Sequence, residues 1–295
     1  MRALAEYIMR GRMQATLVVV GSAAMPLLFW LSAAAGSLVL LRRGANDAIG
    51  ILAWAMLPAL VWWYFGEPRT LLVLGGALGL ALFLRAGWSW NRILLCSVVL
   101  GLVYGLILGA VFREPIEAMA GELKKLLPTM LDGVHQQMSV DERARLEGLI
   151  TPVLIGLMAS LLQVVSLLSL ILGRYWQAAL YNPGGFGREF RALRLSLPQA
   201  LLLLAGMLIG PNLGPEMGML TPLCSVPLLV AGVALVHGLV EKGGLGRFWL
   251  VGLYVTLLVV MHLIYPLLVV LALVDSLFDF RGRLARKSGP TNGEG

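Results

Sequence analysis

The fold of this chain follows from the stretch Ile93–Phe112, which reads ILLCSVVLGLVYGLILGAVF and contains no charged residue. A helix of about 20 apolar residues is long enough to cross a hydrocarbon core of roughly 30 Å. The apolar residues run without the alternation of a membrane β-strand, and a helix satisfies its own backbone hydrogen bonds in lipid. We therefore predict a transmembrane helix here.

Further apolar blocks occur along the 295 residues. With the first stretch they are Met13–Leu41, Ala48–Phe65, Leu71–Leu84, Ile93–Phe112, Leu149–Leu180, Leu197–Gly210, Met219–Val240 and Phe248–Val274. Hydrophobic residues make up 59% of the chain, charged residues 13%, and the mean hydropathy is +0.85. A soluble domain is about a quarter charged, so the sequence predicts an all-α, polytopic bundle of transmembrane helices.

The number of crossings depends on the two longest blocks, the first and the last. Pro26 and Pro266 lie near their middles, and a proline kinks or breaks a helix because it lacks a backbone donor. Each long block is therefore either one steeply tilted helix or a pair of shorter ones. We expect roughly eight to ten crossings, with about nine as the central value.

The net charge of +7 is distributed in a way that indicates membrane topology. Short basic clusters separate the apolar blocks, as the positive-inside rule requires of cytoplasmic loops, and this pattern disfavours nucleic-acid binding. If the N-terminus is cytoplasmic and the first block folds back at Pro26, the clusters inside are Arg42/Arg43, Arg85/Arg92, Arg188/Arg191/Arg194 and Lys242/Arg247. We expect a multi-pass protein of a bacterial inner membrane, in contact with membrane lipids.

Residues 1–280 are predicted to form a single transmembrane domain, followed by a basic, disordered tail over 281–295 whose side of the membrane stays open. Within the domain, 113–148 carries more acidic than basic residues and has apolar residues at helical spacing. Ser139 and Glu142 have the spacing of a capping box that opens a helix leading into the next crossing. This amphipathic extracytoplasmic loop either lies on the membrane surface or over a cavity mouth, or is a connector packed on its neighbours.

The sequence has no catalytic or metal-binding motif. HExxH, GxSxG and P-loop patterns are missing, and no two of His135, His237 and His262 have metal-ligand spacing on one helix. Cys96 and Cys224 lie inside apolar blocks, which is typical of buried free thiols. We therefore expect no enzyme activity, no metal and no cofactor.

Polar residues at membrane depth are the candidates for ligand contact, because burying them in lipid is costly. Gln163 lies in the middle of an apolar block, and His262 lies within the last block near Tyr265. These three residues either contact a bound solute or lipid, or bond to neighbouring helices. His237 and Glu241, four residues apart on one helical face, are expected to pair at the membrane interface.

Two further patterns suggest helix, lipid or protein contacts. Glycines at every fourth position let helix backbones approach closely, either within the bundle or against a partner; they are Gly75, Gly79, Gly101, Gly105 and Gly109. Arginines recur at a spacing of three and are interleaved with apolar residues; they are Arg188, Arg191 and Arg194. This strip is either a topogenic anchor at anionic headgroups or a docking element for a partner.

Two segments carry a resemblance to a known family. They read NPGGFGREFRALR at 182–194 and DSLFDFR at 275–281. They resemble the short signatures of the YybS-like bacterial integral membrane proteins, a family of unknown function, and the spacing of the apolar blocks is similar along nearly the whole chain. The resemblance implies a fold similar to the membrane S subunits of energy-coupling-factor (ECF) vitamin transporters, and it supplies no ligand-binding residues.

Asp275 and Asp279 are expected to form a salt-bridge cap at the membrane edge.

Two functions remain open. The first is a membrane-embedded subunit that binds a solute or lipid, for example in a transporter with an ATPase partner, and it rests on Gln163 and His262 and on the proline-interrupted terminal blocks. The alternative is a non-transporting anchor or interaction protein for an envelope assembly, supported by the glycine ridges and the arginine strip. A bound small molecule would favour the first function, and a stable envelope partner would favour the second.

Overall fold

The computed structural model describes residues 2–130, 133 and 138–287, and these form helices and turns with no β-strand. The all-α prediction is therefore confirmed. The helices are α1 (Arg2–Arg10), α2 (Arg12–Ala24), α3 (Phe29–Arg43), α4 (Ala45–Tyr64), α5 (Arg69–Arg85), α6 (Trp90–Val111), α7 (Arg113–Met130), α8 (Val140–Tyr181), α9 (Gly185–Ala192), α10 (Leu197–Ile209), α11 (Leu220–Lys242), α12 (Phe248–Val259), α13 (Met261–Phe278) and α14 (Phe280–Lys287). Two short 3-10 helices, Gly210–Asn212 and Pro215–Met219, lie between α10 and α11.

Five of the described helices are long and apolar enough to cross a membrane; they are Ala45–Tyr64, Trp90–Val111, Val140–Tyr181, Pro215–Lys242 and Met261–Phe278. The number becomes six if Gly185–Ala192 and Leu197–Asn212, which are bent by 67° to each other, form one broken span. Length and composition therefore support a multi-pass membrane protein, because each of these helices can cover the hydrocarbon core.

The chain divides into two compact units. The first comprises Met1–Phe186 and Ala205–Val226, and the second comprises Gly187–Leu204 and Pro227–Gly295. The sequence predicted one domain over 1–280. Hydropathy does not reveal this division, because it identifies helices that suit lipid but carries no information about which helices pack together.

The first apolar block is a helical hairpin. Met25, the residue before Pro26, has extended backbone angles (φ −97°, ψ 122°) and ends α2, as expected because the proline ring disfavours the helical conformation in the residue that precedes it. The Ser32 hydroxyl on α3 donates to the Val19 carbonyl on α2 at 2.7 Å. The chain therefore folds back at Pro26, and the alternative of one steep helix is wrong.

The last apolar block is also interrupted, but not at its proline. The break lies at Val260 (φ −124°, ψ 43°), between α12 and α13, whereas Pro266 lies inside α13. A proline removes the hydrogen bond to the carbonyl four residues earlier, here that of His262, and weakens the turn on its N-terminal side. The break at Val260 lies six residues before Pro266, outside that turn, so the missing bond does not account for it.

The segment 113–148 contains helix α7 and the start of α8. The predicted capping box is confirmed: the Ser139 hydroxyl accepts from the Glu142 backbone N–H at 3.2 Å, and the Glu142 carboxylate accepts from the Ser139 N–H at 2.8 Å. Helix α8 continues from this cap without interruption for 42 residues. His135 lies outside the described residues.

Basic residues gather at one end of the first unit. Arg85 donates to the carbonyls of Leu40 and Leu41 at 3.1 and 3.0 Å, rather than stacking on the nearby tryptophans. The Arg42 guanidinium lies 4.0 Å from the centre of the Tyr181 ring. Two of the basic clusters predicted to be cytoplasmic therefore meet at the same end of the unit, as the positive-inside rule requires.

Candidate functional site

Glycines on α6 bring three helices of the first unit into close contact. A Cβ at Gly101 would lie 2.6 Å from a Leu223 methyl and 2.8 Å from the Gln163 side-chain oxygen. A Cβ at Gly105, one turn away, would lie 3.1 Å from the Met219 sulfur. Side chains on α8, on α11 and on the 3-10 helix before α11 therefore occupy the space that larger residues on α6 would fill. The expectation that these two glycines permit close approach within the bundle is confirmed.

Gln163 is completely buried in this contact region. Its Nε2 donates to the Ser97 hydroxyl at 2.9 Å and to the Leu223 carbonyl at 3.3 Å. Because a carbonyl only accepts, the amide NH2 must face Leu223, which fixes the amide orientation. The Gln163 Oε1 then has no hydrogen-bond partner among the described residues. A buried acceptor of this kind costs about 1–3 kcal/mol when unpaired.

Tyr104 adds a second polar pair at membrane depth. Its hydroxyl donates to the Leu72 carbonyl at 2.8 Å and lies 2.9 Å from the Ser166 hydroxyl, which in turn reaches the Leu162 carbonyl at 2.8 Å. Gly76 makes room for the phenol, because a Cβ there would collide with the Tyr104 oxygen. This pair links α5, α6 and α8 and is satisfied within the protein.

A cavity of about 420 Å³ lies beside the same helices in the first unit. Its buried lining residues include Gly105, Ile155 and Met219, and these form an apolar floor. Met219 lies one helical turn before Leu223, whose carbonyl accepts from Gln163. Gly105 lies one turn after Gly101, which faces the Gln163 side chain. Gln163 does not line the pocket, and it lies eight residues, about 12 Å of helix, from Ile155 on α8. Its amide is therefore one to two helical turns beneath the floor.

The mouth of the pocket is charged. Its exposed lining residues include Arg113, Glu117 and Glu216, and the Arg113 Nε lies 2.6 Å from a Glu117 carboxylate oxygen. The hydrogen bond with Glu117 raises the pKa of Arg113, and the charge of Glu216 adds a smaller increase. Arg145 also donates to Asn212. The segment 113–148, predicted to be extracytoplasmic, and the turn 211–216 therefore meet at this pocket.

The other predicted ligand residues belong to the second unit. His262 is exposed at the second position of α13, and Tyr265 is half-buried one turn further along the same helix. Gln163, by contrast, lies in the core of the first unit. Gln163, His262 and Tyr265 were predicted together because each is a polar residue within an apolar block. That criterion carries no information about the unit to which each helix belongs.

His237 and Glu241 have separate partners. The His237 Nε2 lies 2.8 Å from the Tyr254 hydroxyl, and Glu241 forms an ion pair with Arg191. The expected pairing of His237 with Glu241 is therefore not seen. Each side chain finds a partner on a neighbouring helix instead, because spacing on one helix does not determine side-chain direction.

An ionic cluster joins the two segments on which the family resemblance rests. Arg281 donates to the Asp275 carboxylate at 2.8 Å and to the Arg191 and Leu193 carbonyls at 2.7 and 2.8 Å. Arg194 donates to the Asp275 carbonyl at 3.0 and 2.8 Å. Residues 191–194 of the first segment are therefore in direct contact with the segment 275–281 within the second unit.

This cluster changes the expected role of the arginine strip and the tail. Arg191 and Arg194 bind within the chain, whereas Arg188 is exposed. Arg281, predicted to begin a disordered tail, is only 6% exposed and lies in helix α14. Arg194 also lies 3.6 Å from Asp279, so the predicted salt bridges of Asp275 and Asp279 are confirmed.

Several residues of the site were not identified from the sequence. They are Ser97, Tyr104, Arg113 and Glu216. Tyr104 lies between Gly101 and Gly105, and a single large polar side chain flanked by glycines is a usable signal for an interhelical hydrogen bond. Arg113 and Glu216 carry no such signal, because their proximity depends on how separate helices assemble.

The arrangement offers an apolar space with a charged mouth, of a size that suits a small molecule. Within the described ranges, no three His, Cys, Asp and Glu side chains gather into a group that could hold a metal ion. Comparison of the chain with protein-family models, curated proteins and solved structures gives no significant match.

Proposed function

We propose that this chain is a membrane-embedded subunit that binds a small solute or a lipid in the pocket of the first unit. The observation that carries the proposal is the order of features at the pocket: a charged mouth at Arg113, an apolar floor at Gly105 and, one to two helical turns beneath that floor, the unpartnered Gln163 carbonyl. The volume of about 420 Å³ lies within the range of small-molecule sites, roughly 300–1,000 Å³.

The lining indicates the chemistry of the ligand. Two carboxylates, Glu117 and Glu216, face one guanidinium, Arg113, so the mouth carries an excess of negative charge and suits a cationic or zwitterionic group. The floor suits an apolar body. A hydrogen-bond donor that reaches Gln163 Oε1 would relieve its buried acceptor. An amphipathic molecule with a polar group at each end meets these conditions best.

We also propose that the protein is a YybS-like protein of a bacterial inner membrane, with about nine crossings and a fold similar to ECF S subunits, acting with an ATPase partner. The hairpin of α2 and α3 and the break between α12 and α13 support this number, because they add short apolar helices to the five or six long ones. The contact between 182–194 and 275–281 supports the family, since the two resembling segments act as one structural element.

Purification in native lipid particles, followed by mass spectrometry, tests the proposed function. We expect the wild-type protein to retain a stoichiometric small molecule or lipid. Gly148→Leu should lower its occupancy about tenfold, because Gly148 lines the pocket and an added side chain meets no protein atom within 4 Å. Gly121→Leu is the matched control: Gly121 also faces open space on α7 but does not line the pocket.

Two results would contradict the proposal. One is a wild-type protein that retains no small molecule or lipid; the other is equal occupancy in wild type and Gly148→Leu. If an envelope protein co-purifies reproducibly in that case, the non-transporting anchor is the better function. A co-purifying ATPase together with a bound molecule would support a transport subunit.

A further inference from the structure

A second cavity of the first unit lies between α5 and α6 and has a different character. This groove has a volume of about 460 Å³, and its lining is almost wholly apolar; it includes Gly75, Gly79, Phe83, Cys96, Val99 and Val103. The groove follows α5 from Leu71 to Phe83, about 18 Å of helix. It is therefore long enough to hold an extended acyl chain.

The glycines of α5 keep this groove open. A Cβ at Gly75 or Gly79 would meet no heavy atom within 4 Å, whereas a Cβ at the neighbouring Gly76 would collide with Tyr104. Close approach of helices within the bundle is therefore not seen at Gly75 and Gly79; Gly76 has that role. The Tyr104 hydroxyl at the base of the groove is already bonded to the Leu72 carbonyl, so an occupant needs no polar group along its length.

One end of the groove has a cation and an aromatic pair. Arg92 lies one helical turn before Cys96 on the same face of α6; it is exposed and has no hydrogen-bond or ion-pair partner in the described part of the chain. Near the C-terminal end of α5, Phe83, which lines the groove, stacks on Trp88 at a centroid distance of 4.7 Å. Aromatic rings and basic side chains of this kind lie at the headgroup level of a bilayer.

We propose that this groove binds an anionic phospholipid, with one acyl chain between α5 and α6 and the phosphate at Arg92. The difference in charge between the two ends of the groove supports this occupant. At the opposite end Arg69 is paired with Glu67 at 2.8 Å, so the free cation lies only at the Arg92 end of these two helices. A basic site beside a groove between transmembrane helices on the predicted cytoplasmic side is the arrangement that recognises anionic headgroups.

Native mass spectrometry of the purified full chain, equilibrated with equimolar phosphatidylglycerol and phosphatidylcholine of identical acyl chains, tests this site. We expect about fivefold preferential retention of phosphatidylglycerol, the effect of one basic residue at an anionic lipid surface. Arg92→Gln should abolish the preference. Gly79→Leu should remove the retained lipid of both types, because the leucine fills the groove.

Two control variants separate the site from general effects. Arg69→Gln removes a paired cation at the other end and should keep the preference, and Gly50→Leu adds a side chain in open space on α4 and should keep the lipid. Unchanged thermal unfolding of all four variants shows that they are folded. Equal retention of the two lipids by the wild type, or an unchanged preference in Arg92→Gln, would overturn the proposal. So would a dimer that Gly79→Leu dissociates while lipid retention is unaffected, because a second copy would then be the occupant.

Discussion

Arg281 donates a hydrogen bond to the Asp275 carboxylate at 2.8 Å, and the two residues are only 6% and 3% exposed. Asp275 also accepts from the Phe280 backbone N–H at 3.0 Å through its other oxygen. A buried ion pair with all of its partners in place is tolerated, but removal of one member leaves the other charge uncompensated. The end of α13 and the start of α14 therefore depend on both residues.

The first prediction concerns this pair. Asp275→Asn should lower the free energy of unfolding by about 3–5 kcal/mol, because it leaves the buried Arg281 guanidinium without a counter-charge. Denaturant titration of the purified protein in mild detergent measures the change. Asp279→Asn is the control: its side chain is 47% exposed, and its loss should cost about 0–1 kcal/mol. Equal effects of the two substitutions would show that burial of the pair does not matter.

The second prediction compares adjacent glycines of α5. Gly76→Ala should destabilise the protein by about 1–3 kcal/mol, because the added methyl collides with the Tyr104 hydroxyl. Gly75→Ala faces open space and should be neutral or stabilising by up to about 1 kcal/mol, since alanine is the better helix former. Thermal unfolding midpoints report both. If Gly76→Ala is as stable as wild type, the contact between α5 and Tyr104 is wrong.

The third prediction separates ligand binding from structural bonding at Gln163. Gln163→Leu keeps a similar volume but removes the hydrogen bonds to Ser97 and Leu223. Interhelical bonds of this kind average about 0.6 kcal/mol each, whereas removal of the unpaired Oε1 relieves about 1–3 kcal/mol, so stability should be unchanged or slightly higher. Retention of the bound molecule in native lipid particles should fall. A large loss of stability with unchanged retention would mean that Gln163 serves only to join helices.

The fourth prediction tests membrane topology. Ser89 and Glu216 are both exposed. Ser89 lies between Arg85 and Arg92, which are predicted to be cytoplasmic, whereas Glu216 lines the pocket together with residues of the predicted extracytoplasmic loop 113–148. In a Cys96→Ala, Cys224→Ala background, Glu216→Cys should react with a membrane-impermeant maleimide in cells with a permeabilised outer membrane. Ser89→Cys should react only after lysis. Labelling of both sites from the same side would refute the predicted orientation of α6.

Local features of this protein could be predicted from the sequence because they depend on neighbouring residues. The capping box of Ser139 and Glu142 was identified from a spacing of three, and the extended Met25 follows from the proline after it. Most apolar blocks agree closely with helices, since a long apolar run has few other ways to satisfy its backbone in lipid. The buried position of Gln163 follows from its place within such a run.

The contact partners of buried polar side chains, by contrast, were decided by tertiary structure. Tyr104 meets Ser166 across 62 positions of the chain, and Arg281 meets the Arg191 carbonyl across 90. A helix that is apolar on all sides does not indicate which face turns toward a neighbour, so its sequence leaves the rotation about the helix axis undetermined.

The sequence by itself thus determined that the chain forms apolar helices suited to a membrane. It also determined the capping box at Ser139 and the turn at Pro26. Only the tertiary structure decided the division into two units, the pocket at Arg113, the glycine groove at Arg92 and the pairing of Arg281 with Asp275. The physical reason is the same in each case. Hydropathy and capping act over one or two helical turns, whereas packing depends on the shapes of faces that come from distant parts of the chain.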